Sequence, residues 1–263
     1  MRIAVAQLDT VPDVAANLEV ITALTLSAAA DGAQIVVFPE ASMYQCMSSA
    51  TVLRDCAQPV DGTFVGQLTG LAATANVTVV VGMYETSGLE RPYNTLVVVG
   101  PDGLRASHRK SLVYDAFGYC ESDYVMTAAP QSDLFEVGGL KFGLVTCYEI
   151  RFPECSRSLI DAGVDVLVMC SAWPIAQGKE DHFTTMIKAR ALENTVYVAV
   201  ASECSSSMVG RSQVIDPLGY QVAGLSTETG YVCADIDAER IARARELLPV
   251  LKHRRQYLSP IAI

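Results

Sequence analysis

Along the chain, short runs of β-branched and aliphatic residues alternate with stretches whose apolar positions recur every three to four residues. Arg2-Ile3-Ala4-Val5-Ala6-Gln7 reads as a buried strand and Gln34 to Phe38 as another, with a helix between them. That helix begins after Asp13, a good N-cap. It carries Val14, Leu18, Ile21, Leu24 and Leu26 on a broad apolar face and stops at Asp31-Gly32. A strand–helix–strand order with short connections predicts a parallel pair joined by a right-handed crossover. The same grammar predicts helices over 62–75, 153–162, 182–193 and 238–248. It predicts strands over 77–82, 140–146, 165–170, 196–200 and 231–236. Pro101-Asp102-Gly103 and Asp216-Pro217-Leu218-Gly219 carry turn chemistry between short strands, which predicts two hairpins.

Asp31 to Phe38 and Ala162 to Met169 echo one another: each is a helix end, a glycine and a hydrophobic strand. The echo predicts two similar halves in one sheet system, and the lack of any shorter period excludes a solenoid. No proline- or serine-rich linker interrupts the chain, so residues 1–263 are expected to form a single domain.

Charge narrows the partners. Nineteen basic against 29 acidic side chains leave a net −10, which argues against a nucleic-acid or anionic-membrane surface. No run of about 18 apolar residues suggests a membrane span, and the start turns polar too soon for a signal peptide, so a soluble cytoplasmic protein is expected. The eight cysteines (46, 56, 120, 147, 155, 170, 204 and 233) are scattered and none forms C-x-x-C, which indicates neither a disulfide framework nor a zinc knuckle. Most read as small buried apolar residues. His108, His182 and His253 lack metal-ligand spacing, so no metal is expected.

In open α/β sheets, chemistry gathers beyond the carboxyl ends of strands. Glu40 follows the strand ending at Phe38, Lys110 follows the second strand of the first hairpin, and Cys147 follows the strand ending at Thr146. A thiol becomes nucleophilic when a base takes its proton, and an ammonium can stabilise charge on an attacked carbonyl. Taken singly, each is as readily an ordinary surface or core residue.

Their local sequences change that weighting. Val36-Val37-Phe38-Pro39-Glu40, His108-Arg109-Lys110-Ser111-Leu112 and Val145-Thr146-Cys147-Tyr148-Glu149-Ile150-Arg151-Phe152-Pro153-Glu154 occur in that order, with the three reactive residues 70 and 37 positions apart. The set resembles the nitrilase (carbon–nitrogen hydrolase) superfamily, and Arg190 to Asn194 and Gly210 to Pro217 extend the resemblance over essentially the whole chain. It implies a four-layer αββα sandwich in which Glu40 is the general base, Lys110 the electrophilic lysine and Cys147 the nucleophile. Lys110 and the backbone N–H of Tyr148 would hold the oxyanion. Glu121 matches a further family glutamate that positions the lysine; otherwise it is a solvated loop carboxylate. The resemblance implies a homodimer or a larger homo-oligomer, with residues 249–263 as a C-terminal tail that reaches the partner; the mechanism requires no cofactor.

By motif the branch resembled is that of ω-amidases and deaminated-glutathione amidases, which implies release of ammonia from a small linear amide. An N-carbamoyl hydrolase or aliphatic amidase with the same triad is the alternative. Tyr148-Glu149 and the short chain disfavour true nitrilases, which usually have Trp-Glu after the cysteine. Two departures stand out: Glu149 where relatives often carry Asp, and Ala41 to Gln45 in place of a glycine-containing loop. Arg151 either holds a substrate carboxylate or pairs with Glu154 or Glu149. Trp173 lines the pocket or packs the core, and Tyr44 and Tyr114 are expected pocket walls. His182 reads as a packing or interface residue. Two other classes compete: a Cys–His hydrolase using His108, His182 or His253, and a non-catalytic partner protein on the same scaffold.

Overall fold

The structure, a computed structural model, describes residues 1–45 and 49–258; Cys46 and the tail beyond Leu258 lie outside the described residues. The first half contains β1 (Arg2–Gln7), α1 (Val14–Ala30), β2 (Ile35–Val37), α2 (Ala50–Cys56), α3 (Thr63–Ala75), β3 (Thr78–Glu85), β4 (Tyr93–Gly100) and β5 (Gly103–Arg109). A small hairpin, β6 (Asp115–Ala116) and β7 (Tyr119–Cys120), leads through a 3-10 turn at Glu121–Asp123 to β8 (Leu134–Val137). The second half contains β9 (Leu140–Thr146), a 3-10 turn at Cys147–Arg151, α4 (Pro153–Asp161), β10 (Val166–Ser171), α5 (Lys179–Asn194) and β11 (Tyr197–Ser202). It ends with β12 (Gln213–Ile215), β13 (Gln221–Gly224), β14 (Gly230–Asp235), α6 (Ala238–Leu247) and α7 (Val250–Leu258).

The strands form two six-stranded sheets, not the one sheet system expected from the internal echo. Their orders are β14-β1-β2-β3-β4-β5 and β13-β12-β11-β10-β9-β8. β1, β2 and β3 are parallel neighbours, as are β9, β10 and β11, while β14 returns antiparallel to the edge at β1. Each half therefore owns a sheet, and the last strand ties the second half back to the first.

Alternation along each strand explains the layering. Ile3 and Val5 of β1 pack with Val168 and Ala199 between the sheets, whereas Ala4 and Ala6 face α1 and α3. In the second sheet Phe142 and Leu144 point into the same inter-sheet core, and Val145, Leu167 and Val198 meet α4 and α5. Both faces of the inner strands are covered, so they read as continuous apolar runs. The result is a four-layer αββα sandwich.

Helix α1 starts where expected, with the Asp13 carboxylate accepting from the Ala15 and Ala16 N–H groups. Its buried stripe is Asn17, Ile21, Thr25 and Ala28, an i, i+4, i+8, i+11 row that turns Leu26 outward to 43% exposure. Asn17 earns its burial by bonding Val11 and the Met43 carbonyl. Among the described residues no helix is long and apolar enough to cross a membrane. Within the tail, Arg254 of α7 pairs with Asp161 of the same chain.

Candidate active site

The carboxyl ends of β2, β5, β9, β10 and β11 open onto one cavity, lined among others by Glu40, Lys110, Cys147, Ala172 and Glu203. Glu40 sits in a tight turn after β2. Gly82 of β3 makes that turn possible: a Cβ there would stand 1.5 Å from the Glu40 carbonyl oxygen. The Gly82 N–H instead donates to Pro39 at 3.2 Å, and its carbonyl accepts from Met43 at 3.0 Å.

Lys110 is 2% exposed and its ammonium is held by two carboxylates. Nζ donates to Glu40 Oε1 at 2.7 Å and to Glu121 Oε1 and Oε2 at 2.9 and 2.7 Å. Burial alone would favour the neutral amine. The charges of Glu121 and Glu40 override it and hold the Lys110 pKa well above its ordinary value. Asn94, absent from the sequence-level candidates, donates to Glu40 Oε1 at 2.8 Å and Glu121 Oε1 at 3.1 Å, while its own carbonyl receives the Lys110 N–H. Glu121 also receives the Tyr114 N–H at 2.6 Å, so it is a buried, fully engaged carboxylate and not a solvated one. The other Glu40 oxygen accepts the Ala172 N–H at 2.9 Å.

Cys147 opens the 3-10 turn after β9 with φ +44°, a left-handed conformation that costs a non-glycine residue about 1–3 kcal/mol. Ser171 Oγ donates to its sulfur at 3.4 Å. Burial, reinforced by the negative charge of Glu40, pushes the thiol up to about 12, with Lys110 and the Ser171 hydrogen bond opposing. At neutral pH the resting group is therefore a thiol that needs a base. The turn itself is braced by Arg190, whose guanidinium donates to the carbonyls of Ile150 and Arg151. Ser212 likewise ties the Gly210–Pro217 segment to β1 through Ala6 and Gln7.

Tyr114, Tyr148 and Trp173 line the cavity. Trp173 meets both of its expectations at once, since it also packs on Phe183 with ring centroids 5.4 Å apart. Tyr44 is not among the lining residues; it packs partly buried beside Leu53, Tyr84 and Val125. Arg151 pairs with neither Glu149 nor Glu154. Its guanidinium carbon lies 4.6 Å from the Trp173 ring centroid, and Nε and Nη2 are buried without a hydrogen-bond partner. It stands at the aromatic wall, not among the lining residues themselves.

Besides Asn94, two charged lining residues escaped the sequence reading. Lys179, 2% exposed, donates to the Tyr114 hydroxyl at 2.9 Å and pairs with no carboxylate among the described residues. Burial lowers its pKa, and nearby Arg151 adds to the lowering. Glu203 is buried with Oε2 unpartnered, and burial with the charges of Glu40 and Asp9 pushes its carboxyl up to about 8. No histidine lines the cavity among the described residues: His108 is bonded to Asp133 and Glu149, and His182 lies against Phe117.

A family model described as carbon-nitrogen hydrolase matches residues 2–246. The chain belongs to the carbon-nitrogen hydrolase family. It is 34% identical over 239 residues to the deaminated glutathione amidase of Escherichia coli O157:H7, covering 91% of each chain. It is 30% identical over 273 residues to omega-amidase NIT2 of Mus musculus, covering 99% of this chain and 97% of that one. Among solved structures it is similar to Saccharomyces cerevisiae Nit3, a member of branch 10 of the nitrilase superfamily. The TM-score is 0.86 at 27% identity, with 97% of this chain and 96% of that one covered. Within this hydrolase family the two departures noted in the sequence have different weight. The 41–45 loop keeps its turn without a glycine through Ser42, whose hydroxyl donates to Pro39 at 2.7 Å. Glu149 does not line this cavity and is instead bonded to His108, Ser111 and Thr146.

Proposed function

We propose that this hydrolase cleaves small linear amides through a thioester on Cys147, in the manner of an ω-amidase or a deaminated-glutathione amidase. The observation that carries this reading is the meeting of a buried thiol, a buried carboxylate and a buried ammonium at three strand ends around one cavity. Glu40 takes the thiol proton as sulfur attacks the amide carbon. The new C–S bond displaces the carbonyl π pair onto oxygen. Lys110 and the N–H of Tyr148, in a first turn whose backbone donors point out of the helix, receive that oxyanion; Lys110 can turn one proton toward it because its contact with Glu121 is shared between two oxygens. Collapse breaks the C–N bond, and the proton on Glu40 leaves with nitrogen as ammonia. Glu40 then accepts a proton from water, whose oxygen attacks the thioester and returns the sulfur to its thiol as the acid departs. Glu121 and Asn94 keep Lys110 charged and aimed.

The raised thiol pKa supports a base-dependent attack over a preformed thiolate. Lys179 brings to the cavity a positive charge without a carboxylate partner among the described residues, and Arg151 adds a second one behind the aromatic wall, which favours an amide whose far end is a carboxylate. The molecule is read as one domain acting in a homodimer, which light scattering tests. The activity is tested by ammonia release from a panel of dicarboxylic monoamides, neutral amides, nitriles and N-carbamoyl compounds. Release from monoamides supports the reading; ammonia together with carbon dioxide from carbamoyl compounds alone points to an N-carbamoyl hydrolase.

A further inference from the structure

Lys110 follows a strand of the first sheet and Cys147 a strand of the second, so their separation depends on how the two sheets are held. One buried side chain bridges these ends. Glu149, 1% exposed, accepts from the Ser111 N–H and hydroxyl with Oε1, both at 2.8 Å. With Oε2 it accepts from the Thr146 N–H and His108 Nε2, again at 2.8 Å. Ser111 directly follows Lys110 and Thr146 directly precedes Cys147. His108, two residues before Lys110 on the same strand, completes the bridge by directing Nδ1 at Asp133 Oδ2, 2.9 Å away.

We infer that Glu149 and His108 form a positioning pair that pins the lysine-bearing end of β5 to the cysteine-bearing end of β9. This rests on the catalytic roles proposed above for Lys110 and Cys147. Neither pinning residue lines the active cavity, so they act through the residues they hold. Both ring nitrogens of His108 face carboxylate oxygens, which requires both to carry protons. Burial opposes that charge, but Asp133 and Glu149 outweigh it and raise the imidazole to about 9; His108 and the two backbone N–H groups hold Glu149 down to about 2. Glu154 and Cys155 line the same outer cavity as His108 and are the other titratable groups there. The pair is a charged, fully bonded pin at neutral pH. Above neutral pH it loosens as the imidazolium deprotonates. A displacement of 1 Å between reacting groups can cost about 10²-fold in rate, so a loosened pin lowers turnover more than binding.

The test measures kcat and KM for ammonia release from succinamate between pH 6 and 10, with melting temperature, for wild type, His108→Gln and Asp133→Asn. The expected wild-type kcat falls above about pH 9, where the His108 proton is lost. His108→Gln lowers kcat by roughly 10- to 100-fold with KM changed less than about 3-fold, and lacks that alkaline fall. Asp133→Asn, a milder change that leaves the Glu149 bonds intact, moves the fall to lower pH because a charge supporting the imidazolium is gone. A His108→Gln protein with wild-type kcat, or an unmoved fall in Asp133→Asn, overturns the inference. Should wild type release no ammonia, the catalytic reading fails separately. The pH profile of Cys147 alkylation by iodoacetamide then reads the pin: a shift in the variants supports it and an unchanged profile overturns it.

Discussion

Lys110 Nζ lies 2.7 Å from Glu40 Oε1, and both groups are buried. Against burial, the charges of Glu121 and Glu40 keep the Lys110 amine protonated. Lys110→Met leaves Glu40 and Glu121 facing one another without a cation, so it is expected to cost about 3–5 kcal/mol of stability as well as turnover. Glu40→Gln keeps the shape and several hydrogen bonds but removes the base, and is expected to lower kcat by about 10²–10⁴-fold with a modest change in melting temperature. Chemical denaturation and steady-state ammonia release on the two variants separate these effects.

Lys179 carries the substrate prediction. Lys179→Met keeps the length of the side chain and removes its charge. For anionic monoamides such as succinamate KM is expected to rise about 10-fold or more, the worth of one charged hydrogen bond, while a neutral amide such as propionamide changes less than about 2-fold. Equal losses on both substrates would mean that Lys179 serves packing through Tyr114 and Trp173 and not recognition.

Glu203 gives a pH signature. Its folded-state pKa, about 8, lies above the ordinary glutamate value of 4.5, so the stability tied to its protonated form is complete below about pH 4.5 and is lost as pH rises through 8. Glu203→Gln removes that loss. Its melting temperature relative to wild type is expected to climb between pH 5 and 8.5, by about 2–4 °C for each kcal/mol recovered. A difference independent of pH would contradict the assignment.

Gly82→Ala tests how Glu40 is placed. The added methyl would overlap the Glu40 carbonyl, part of the backbone, so β3 and the turn must separate. Activity is expected to fall at least about 10²-fold even in whatever protein remains folded, because the base moves with the turn. Activity in soluble protein, compared with circular dichroism, reads this directly.

Much of the fold was legible in the sequence because the inner strands are covered on both faces and stand out as unbroken apolar runs. Asp13 marked the start of α1 through a local hydrogen bond that the sequence states outright. The division into two sheets was legible only through the family resemblance and not from the apolar pattern: a run such as Val166 to Ser171 looks the same whichever sheet receives it, and pairing is decided at long range. The strand-end positions of Glu40, Lys110 and Cys147 followed from their flanking runs. Lys179 did not, since Gly178-Lys179-Glu180-Asp181 looks like a solvated helix start; its burial comes from Tyr114 and Trp173, distant in the chain. Asn94 did leave a signal, an amide inside the apolar run Tyr93 to Val99. Leu26 was misplaced because both i+3 and i+4 steps fit the leucines of α1, and only the contact with the sheet selects the row through Ile21.

The most direct test is intact and peptide-resolved mass spectrometry of the protein mixed with a reactive monoamide and quenched in acid within the first turnover. The expected result is one acyl group on Cys147, formed with an equimolar burst of ammonia and missing from Cys147→Ala and Glu40→Gln. Undiminished ammonia release by Cys147→Ala, or an acyl group on any other residue, would contradict the thioester route.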